Sequence, residues 1–129
     1  MTPTTTRDDP TTPAPTLDAG ALARLRELDP DGRAGVLPRV LRTFDASLTQ
    51  ALAATALAGQ RGDTAELRRL AHTLKSSSAS VGALELSLAC ARLEALARDN
   101  QPMDLPEACA RFLATGAQAQ VAVRAHLGR

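Results

Sequence analysis

The most distinctive chemical feature of the chain is a histidine, His72, followed three positions later by a lysine, Lys75. Both lie in a stretch whose apolar residues recur at helical spacing, so their directions follow from a rotation of about 100° per residue. With Leu67 at the centre of the apolar face, His72 points about 140° away from it and Lys75 about 80° away. The spacing predicts an exposed imidazole with a cation beside it.

An exposed imidazole can act as a nucleophile toward phosphorus, and a phosphoryl group on its outer nitrogen needs positive charge close by. Lys75 and Arg68, at i+3 and i−4 from His72, supply that charge from the same flank of the helix. Ser76, one turn after His72, is small enough to let a partner's reactive group approach. Because a histidine on a helix surface is more often simply solvated, the hypothesis depends on these neighbours.

Other residues with possible chemistry form weaker patterns. Cys90 and Cys109 lie nineteen positions apart, match no CxxC or zinc-ligand spacing, and are predicted to be reduced core residues. His126 lies near the end of a predicted helix, where a histidine interacts favourably with the helix dipole, so we predict a structural or solvent-exposed role. The spacing suggests no ligands that could join His72 and His126 in a metal site, and we predict none.

Five amphipathic segments must position these side chains. Helices are predicted over about 18–28, 35–58, 63–80, 83–98 and 104–127, with Asp18 and Asp63 as N-caps of the first and third. The segment 83–98 is apolar nearly all round, which is typical of an element at the centre of a bundle. Four long helices joined by short Gly/Pro turns predict an all-α, up-down four-helix bundle, with the additional short N-terminal helix covering one end.

Composition limits the classes of partner. The chain is 44% hydrophobic but only 2% aromatic, which disfavours a β fold and base stacking on exposed rings. Its formal net charge of +1 provides no field that would draw it to nucleic acid or to a membrane surface. No segment approaches the roughly 18 apolar residues of a membrane span, and the first residues lack the apolar run behind a basic start that is typical of a secretory signal. We therefore expect a soluble, cytoplasmic, monomeric protein.

The N-terminus differs in composition from the rest of the chain. Residues 1–16 hold four of the eight prolines and a run of threonines, with almost nothing apolar to bury. We predict a disordered tail over 1–16 and one bundle domain over 17–129.

The residues that follow His72 match a known signature. The string AHTLKSSSASVGA, residues 71–83, resembles the signature HxLKGxSxxxGA of the histidine-containing phosphotransfer (HPt) domains of bacterial phosphorelays. Six positions match at the family's spacing: His72, Leu74, Lys75, Ser78, Gly82 and Ala83. Ser76 departs from the pattern, since the family most often has glycine there, but serine is still small and partner access is expected to survive. Only the predicted tail lies outside the resemblance.

The resemblance implies a phosphocarrier. In such a protein, His72 would take a phosphoryl group from an aspartate of one receiver domain and pass it to an aspartate of another. The implied partners are the receivers of a hybrid sensor histidine kinase and of a response regulator. The family also implies that the receiver supplies the acidic pocket and Mg²⁺, so we expect no cofactor on this chain and no kinase activity of its own.

Glu94 has two interpretations. In the family, a Glu or Gln at the matching place contacts the inner nitrogen of the phosphorylatable ring, which would fix its tautomer and leave the outer nitrogen free to attack. The other interpretation is a surface ion pair with Arg98 at i+4. The sequence does not separate them.

The receiver is expected to dock on an apolar surface around His72 formed by the first three helices. Leu22 and Leu25 are the predicted contacts on the short helix, because a helix of that length needs packing on one side and can offer the other. Arg68, Ser76 and Ala79 are the predicted contacts around His72.

Two other functions remain open from the sequence. The first is a non-catalytic helical docking module that regulates a sensor kinase, against which the presence of both His72 and Lys75 argues. The second is the phosphoacceptor domain of a chemotaxis-type kinase, which requires attached kinase domains. We expect a free-standing carrier.

Overall fold

The computed structural model describes residues 16–99 and 103–128 and arranges them in five α-helices. These are α1 (Ala19–Arg26), α2 (Val36–Arg61), α3 (Thr64–Ser80), α4 (Leu84–Arg98) and α5 (Leu105–His126). The predicted all-α fold, one short helix followed by four long ones, is confirmed. Residues 1–15, on which the predicted tail depends, lie outside the described part of the chain.

The four long helices form a bundle in which each packs against two neighbours. α3 packs between α2 and α4, and α5 closes the ring by packing on α4 and α2, while α1 lies against α2. Short turns join α2 to α3 and α3 to α4, so consecutive helices run antiparallel. Large, fully buried side chains from all four helices fill the centre: Leu41, Leu48, Leu67, Leu86, Leu93, Phe112 and Val123.

Two aspartates begin helices as predicted. The Asp18 carboxylate accepts a hydrogen bond from the backbone N–H of Ala21 at 3.0 Å, which caps α1. The Asp63 carboxylate accepts from the backbone N–H of Glu66 at 3.1 Å, which caps α3. Each bond satisfies one of the amide groups that the first turn of a helix leaves without a partner. The start of α3, the helix that carries His72, is therefore determined by residues that are neighbours in the sequence.

The residues before α1 are attached to the turn between α3 and α4. The backbone N–H of Asp18 donates to the carbonyl of Gly82 at 2.9 Å. Gly82 has φ 86°, and a Cβ at this position would lie only 2.6 Å from the Asp18 nitrogen. Glycine is therefore required both by the backbone conformation and by the close approach of the two segments.

The predicted docking role of Leu22 is wrong. Its side chain is only 4% exposed and belongs to the hydrophobic core, because α1 lies with this side against the bundle. Leu25, by contrast, is partly exposed. Of the two leucines, only Leu25 can contribute to a surface.

The prediction that α4 lies at the centre of the bundle is also wrong. Leu84 and Leu88 are 47% and 69% exposed, so the helix has a solvent-facing side like its neighbours. Its other side is buried through Leu86, Cys90 and Leu93.

Within residues 16–99 and 103–128, no helix is long and apolar enough to cross a membrane.

The two cysteines are free and buried, as predicted. Burial raises the pKa of the Cys90 thiol to about 12. Burial also raises the pKa of the Cys109 thiol. Because the thiolate is the reactive form, both cysteines are core residues and not nucleophiles.

Candidate functional site

The direction of His72 follows from the face that α3 buries. That face centres on Leu67, as predicted, and its residues are all buried: Leu67, Leu70, Ala71, Leu74, Ser78 and, at the end of the helix, Val81. His72 lies on the outer side, and its side chain is 70% exposed. The predicted exposure of the imidazole is confirmed.

The neighbouring helix α4 brings Glu94 to the histidine ring. Nδ1 of His72 lies 2.7 Å from Oε2 of Glu94, although the two residues are 22 positions apart. Arg98, the other possible partner of Glu94, instead donates to Asp99 at 3.0 Å. Of the two interpretations open from the sequence, the structure therefore shows the contact with the inner ring nitrogen.

This contact determines which ring nitrogen carries a proton. Hydrogen bonds from Lys75 and His72 hold the pKa of Glu94 below its ordinary value, so the side chain is an ionised carboxylate at neutral pH. A carboxylate can only accept hydrogen bonds, and Nδ1 must then be the donor. In the neutral ring, Nε2 consequently keeps its lone pair, and it makes no hydrogen bond to the described residues.

Lys75 shares the same carboxylate. Its Nζ donates to Oε1 of Glu94 at 2.6 Å, and its side chain is 36% exposed. The Ser87 hydroxyl of α4 donates to the backbone carbonyl of Lys75 at 3.1 Å, which adds a second link between the two helices here. Glu94 thus places a positive charge beside the ring in a defined position.

A shallow depression of about 280 Å³ lies beside the ring, lined by Ala65, Arg68, Arg69, His72 and Glu94. Arg69 is held by a bidentate pair with Glu66, at 2.8 and 2.7 Å. Arg68 is exposed and forms no ion pair with the described residues. Arg69 was not among the site residues predicted from the sequence. Its position three residues before His72 was the signal that could have placed it at the site.

The sequence model of the Hpt domain family matches residues 39–127, which hold most of α2 and all of α3, α4 and α5. The chain belongs to the Hpt family. A solved Hpt protein is also similar in structure: histidine-containing phosphotransfer protein B (HptB) from Pseudomonas aeruginosa PAO1. It shares 30% sequence identity and a TM-score of 0.77, over 91% of this chain and 98% of that chain. No curated protein matches the chain by sequence.

Membership of the Hpt family defines the general role of the chain. Hpt domains are phosphocarriers and not kinases, and they interact with receiver domains of response regulators. The chain therefore has a histidine phosphotransfer role.

Most residues predicted to dock a receiver lie on the surface of this Hpt domain. Arg68 and Ser76 are exposed, whereas Ala79 and Leu25 are partly exposed. Ser76 follows His72 by one turn on the open side of α3, so its short side chain leaves the approach to the ring clear. Leu22 is the one exception, as described above.

The structure adds a groove that the sequence did not reveal. It lies between α2 and α3, has a volume of about 350 Å³, and is lined by Arg39, Val40, Thr43, Phe44, Ser47, Ser77, Ser80 and Val81. Short serine side chains on α3 leave space beside the larger Val40 and Phe44 of α2. The apolar spacing of each helix gave no signal for the groove, because it depends on how the two helices pack.

Proposed function

We propose that this Hpt protein accepts a phosphoryl group on Nε2 of His72 from a receiver-domain aspartate and passes it to the aspartate of a second receiver. The single observation that carries the assignment is the contact between Nδ1 of His72 and Glu94. It leaves Nε2 of the exposed ring with its lone pair available and with no hydrogen bond to the described residues. A surface histidine without such a partner would populate both tautomers.

The transfer step uses groups that lie close together. The lone pair of Nε2 forms a bond to phosphorus while the bond between phosphorus and the aspartyl oxygen breaks, and the carboxylate leaves with that electron pair. The ring becomes positively charged, because Nδ1 keeps its proton. The Glu94 carboxylate, 2.7 Å away, stabilises that charge. Transfer to the second receiver is the reverse step on a different aspartate.

Lys75 provides charge compensation for the phosphoryl oxygens. In the unphosphorylated protein its ammonium group is bound to Glu94. It has three donors, so it can keep this bond and still donate to a phosphoryl oxygen on the neighbouring ring. Arg68, exposed on the same flank, adds a second positive charge within reach of a phosphorylated partner.

We expect the receiver to supply the remaining chemistry. In line with the family resemblance, Mg²⁺ and the acidic pocket belong to the receiver, so this chain needs no cofactor and has no kinase activity of its own. The donor is the receiver of a hybrid sensor histidine kinase, and the acceptor is that of a response regulator.

The receiver docks on the side of the bundle where α2 and α3 meet. The apolar groove between these helices includes Ser77, which directly follows the exposed Ser76 in the sequence. Leu25 on α1 and Ala79 on α3 are partly exposed and are proposed as further contacts, and Arg68 lies in the depression beside the ring. A relay complex must be specific yet short-lived, which favours a modest apolar patch with charges around it.

The experiment that tests this function is transfer from a panel of phosphorylated receiver domains, followed over time. Label should appear on this chain as an acid-labile, base-stable phosphoramidate, and should then move to a second receiver. Incubation with ATP alone should give no label. Labelling from ATP without a receiver would contradict the proposal.

A further inference from the structure

The outer side of α4 carries apolar side chains that no other part of the described chain covers. Leu84 and Leu88 are 47% and 69% exposed, Ala91 is exposed and Ala95 is partly exposed. Their spacing of four, three and four residues places all four on one side of the helix, within about 60° of one another. We call these four residues the α4 face.

Large and small residues are separated along the α4 face. The two leucines occupy its first half and the two alanines its second half. When two such helices lie antiparallel about a two-fold axis between positions 89 and 90, Leu84 of one copy meets Ala95 of the other, and Leu88 meets Ala91. Each leucine then packs over an alanine, and the small residues let the helix axes approach closely. The α4 face is thus complementary in shape to itself.

The charges beside the α4 face are self-complementary too. Glu85 and Arg92 are both exposed on the same flank, and neither forms an ion pair with the described residues. They are two turns apart, about 10 Å along the helix, which is too far for a pair within one chain. A two-fold axis perpendicular to the plane of the two helices places the same flank of both copies on the same side of the contact. Measured along the helix axis, Glu85 of one copy then lies within about 3 Å of Arg92 of the other copy.

We propose that α4 is a self-association surface, on which a second copy of this chain binds through an antiparallel α4–α4 contact. Shape and charge both favour a second copy over an unrelated partner. The leucines of one copy pack over the alanines of the other, and Glu85 of one copy lies near Arg92 of the other. Two leucines and two alanines per copy bury less than the roughly 800 Å² per partner of a stable interface. The association is therefore weak, with a dissociation constant of about 0.1 to 1 mM. The sequence alone led us to expect a monomer.

Sedimentation velocity of the full chain, from about 0.02 to 1 mM, measures the association directly. The wild type should sediment faster as its concentration rises. Leu88→Glu should weaken the association by about ten-fold or more, because burial of a leucine is replaced by burial of a charge. Val121→Glu is the matched control, since Val121 is 59% exposed but lies on α5. Circular dichroism should show unchanged helicity in both variants.

Charge exchange tests the antiparallel arrangement. Glu85→Arg alone and Arg92→Glu alone should each be monomeric over this concentration range, because residues 85 and 92 of opposite copies then carry the same charge and repel each other. An equimolar mixture of the two variants should associate again, since each contact then joins two arginines to two glutamates. A wild type that stays monomeric at 1 mM, a Leu88→Glu variant that associates like the wild type, or a mixture that behaves like its components would overturn the proposal.

Discussion

The carboxylate of Glu94 joins the ring of His72 to the ammonium group of Lys75, with one oxygen 2.7 Å from Nδ1 and the other 2.6 Å from Nζ. One side chain on α4 thus orients the nucleophile and places the compensating charge, both of which lie on α3. Since α3 and α4 are also linked by the bond from Ser87 to Lys75, the site is as rigid as the packing of these two helices.

Replacement of Glu94 should affect transfer through the ring tautomer. Glu94→Ala leaves Nδ1 without an acceptor, and we expect about 10- to 100-fold slower phosphorylation by a receiver. Glu94→Gln keeps an oxygen that can accept from Nδ1 and should lose less. Nitrogen NMR of the ring is the second measurement: the proportion of the Nδ1–H tautomer should fall in Glu94→Ala and persist in Glu94→Gln. Equal phosphorylation rates in all three proteins would show that Glu94 does not position the ring of His72.

Acid should weaken the contacts of Glu94 and thereby the fold. The pKa of Glu94 is held below its ordinary value of 4.5, first by Lys75 and then by His72. A carboxyl group whose pKa is lower in the folded than in the unfolded state stabilises the folded protein at pH values above the unfolded-state pKa. This contribution disappears as pH falls through the folded-state pKa. Urea unfolding at pH 7 and pH 3 measures it. The wild type should be more stable than Glu94→Gln at pH 7, and the difference should shrink at pH 3. A difference that is independent of pH would contradict the ionised pair.

Lys75→Ala should slow transfer with little effect on folding. A partly exposed ion pair stabilises a protein by less than about 1 kcal/mol, whereas a charge beside a developing phosphoryl group contributes mainly to the transition state. We expect transfer at least about ten-fold slower and an almost unchanged melting temperature. Lys75→Arg, which keeps the charge, should recover much of the rate. If Lys75→Ala exchanges phosphate as fast as the wild type, the lysine has no electrostatic role.

Much of this fold could be predicted from the sequence because it depends on local rules. The spacing of leucines along α3 placed His72 on the exposed side, and Asp18 and Asp63 marked helix starts through their capping bonds. These features need no knowledge of distant residues. The resemblance to Hpt domains then supplied the chemistry of the exposed histidine.

The errors and open alternatives concern contacts between helices. Leu22 and Leu25 are equally apolar, and only the packing of α1 on the bundle determines that Leu22 is buried. The nearly uniform leucine and alanine content of α4 left its exposed side undefined. Glu94 had a local partner in Arg98 and a distant one in His72, and the register of α4 against α3 favoured the distant one.

A charge in the groove between α2 and α3 should weaken receiver binding. Thr43 is exposed and lines this groove, so Thr43→Glu should raise the dissociation constant of a cognate receiver by about ten-fold or more. Ala46→Glu is the control, because Ala46 is exposed on the same helix but does not line the groove. Both variants should still be phosphorylated normally by a small phosphoramidate, which needs no docking. Equal receiver affinities for the two variants would place the docking surface elsewhere.

The central claim, that Nε2 of His72 carries the phosphoryl group, is tested most directly by locating the phosphate after incubation with a phosphorylated receiver and Mg²⁺. Phosphorus NMR distinguishes the two nitrogens of a phosphohistidine, and peptide mass spectrometry at neutral pH identifies the residue. We expect one signal, from phosphate on Nε2 of His72, and none in His72→Gln, whose helicity should be unchanged because the ring is exposed. Phosphate on Nδ1, on His126, or on the His72→Gln variant would contradict the assignment.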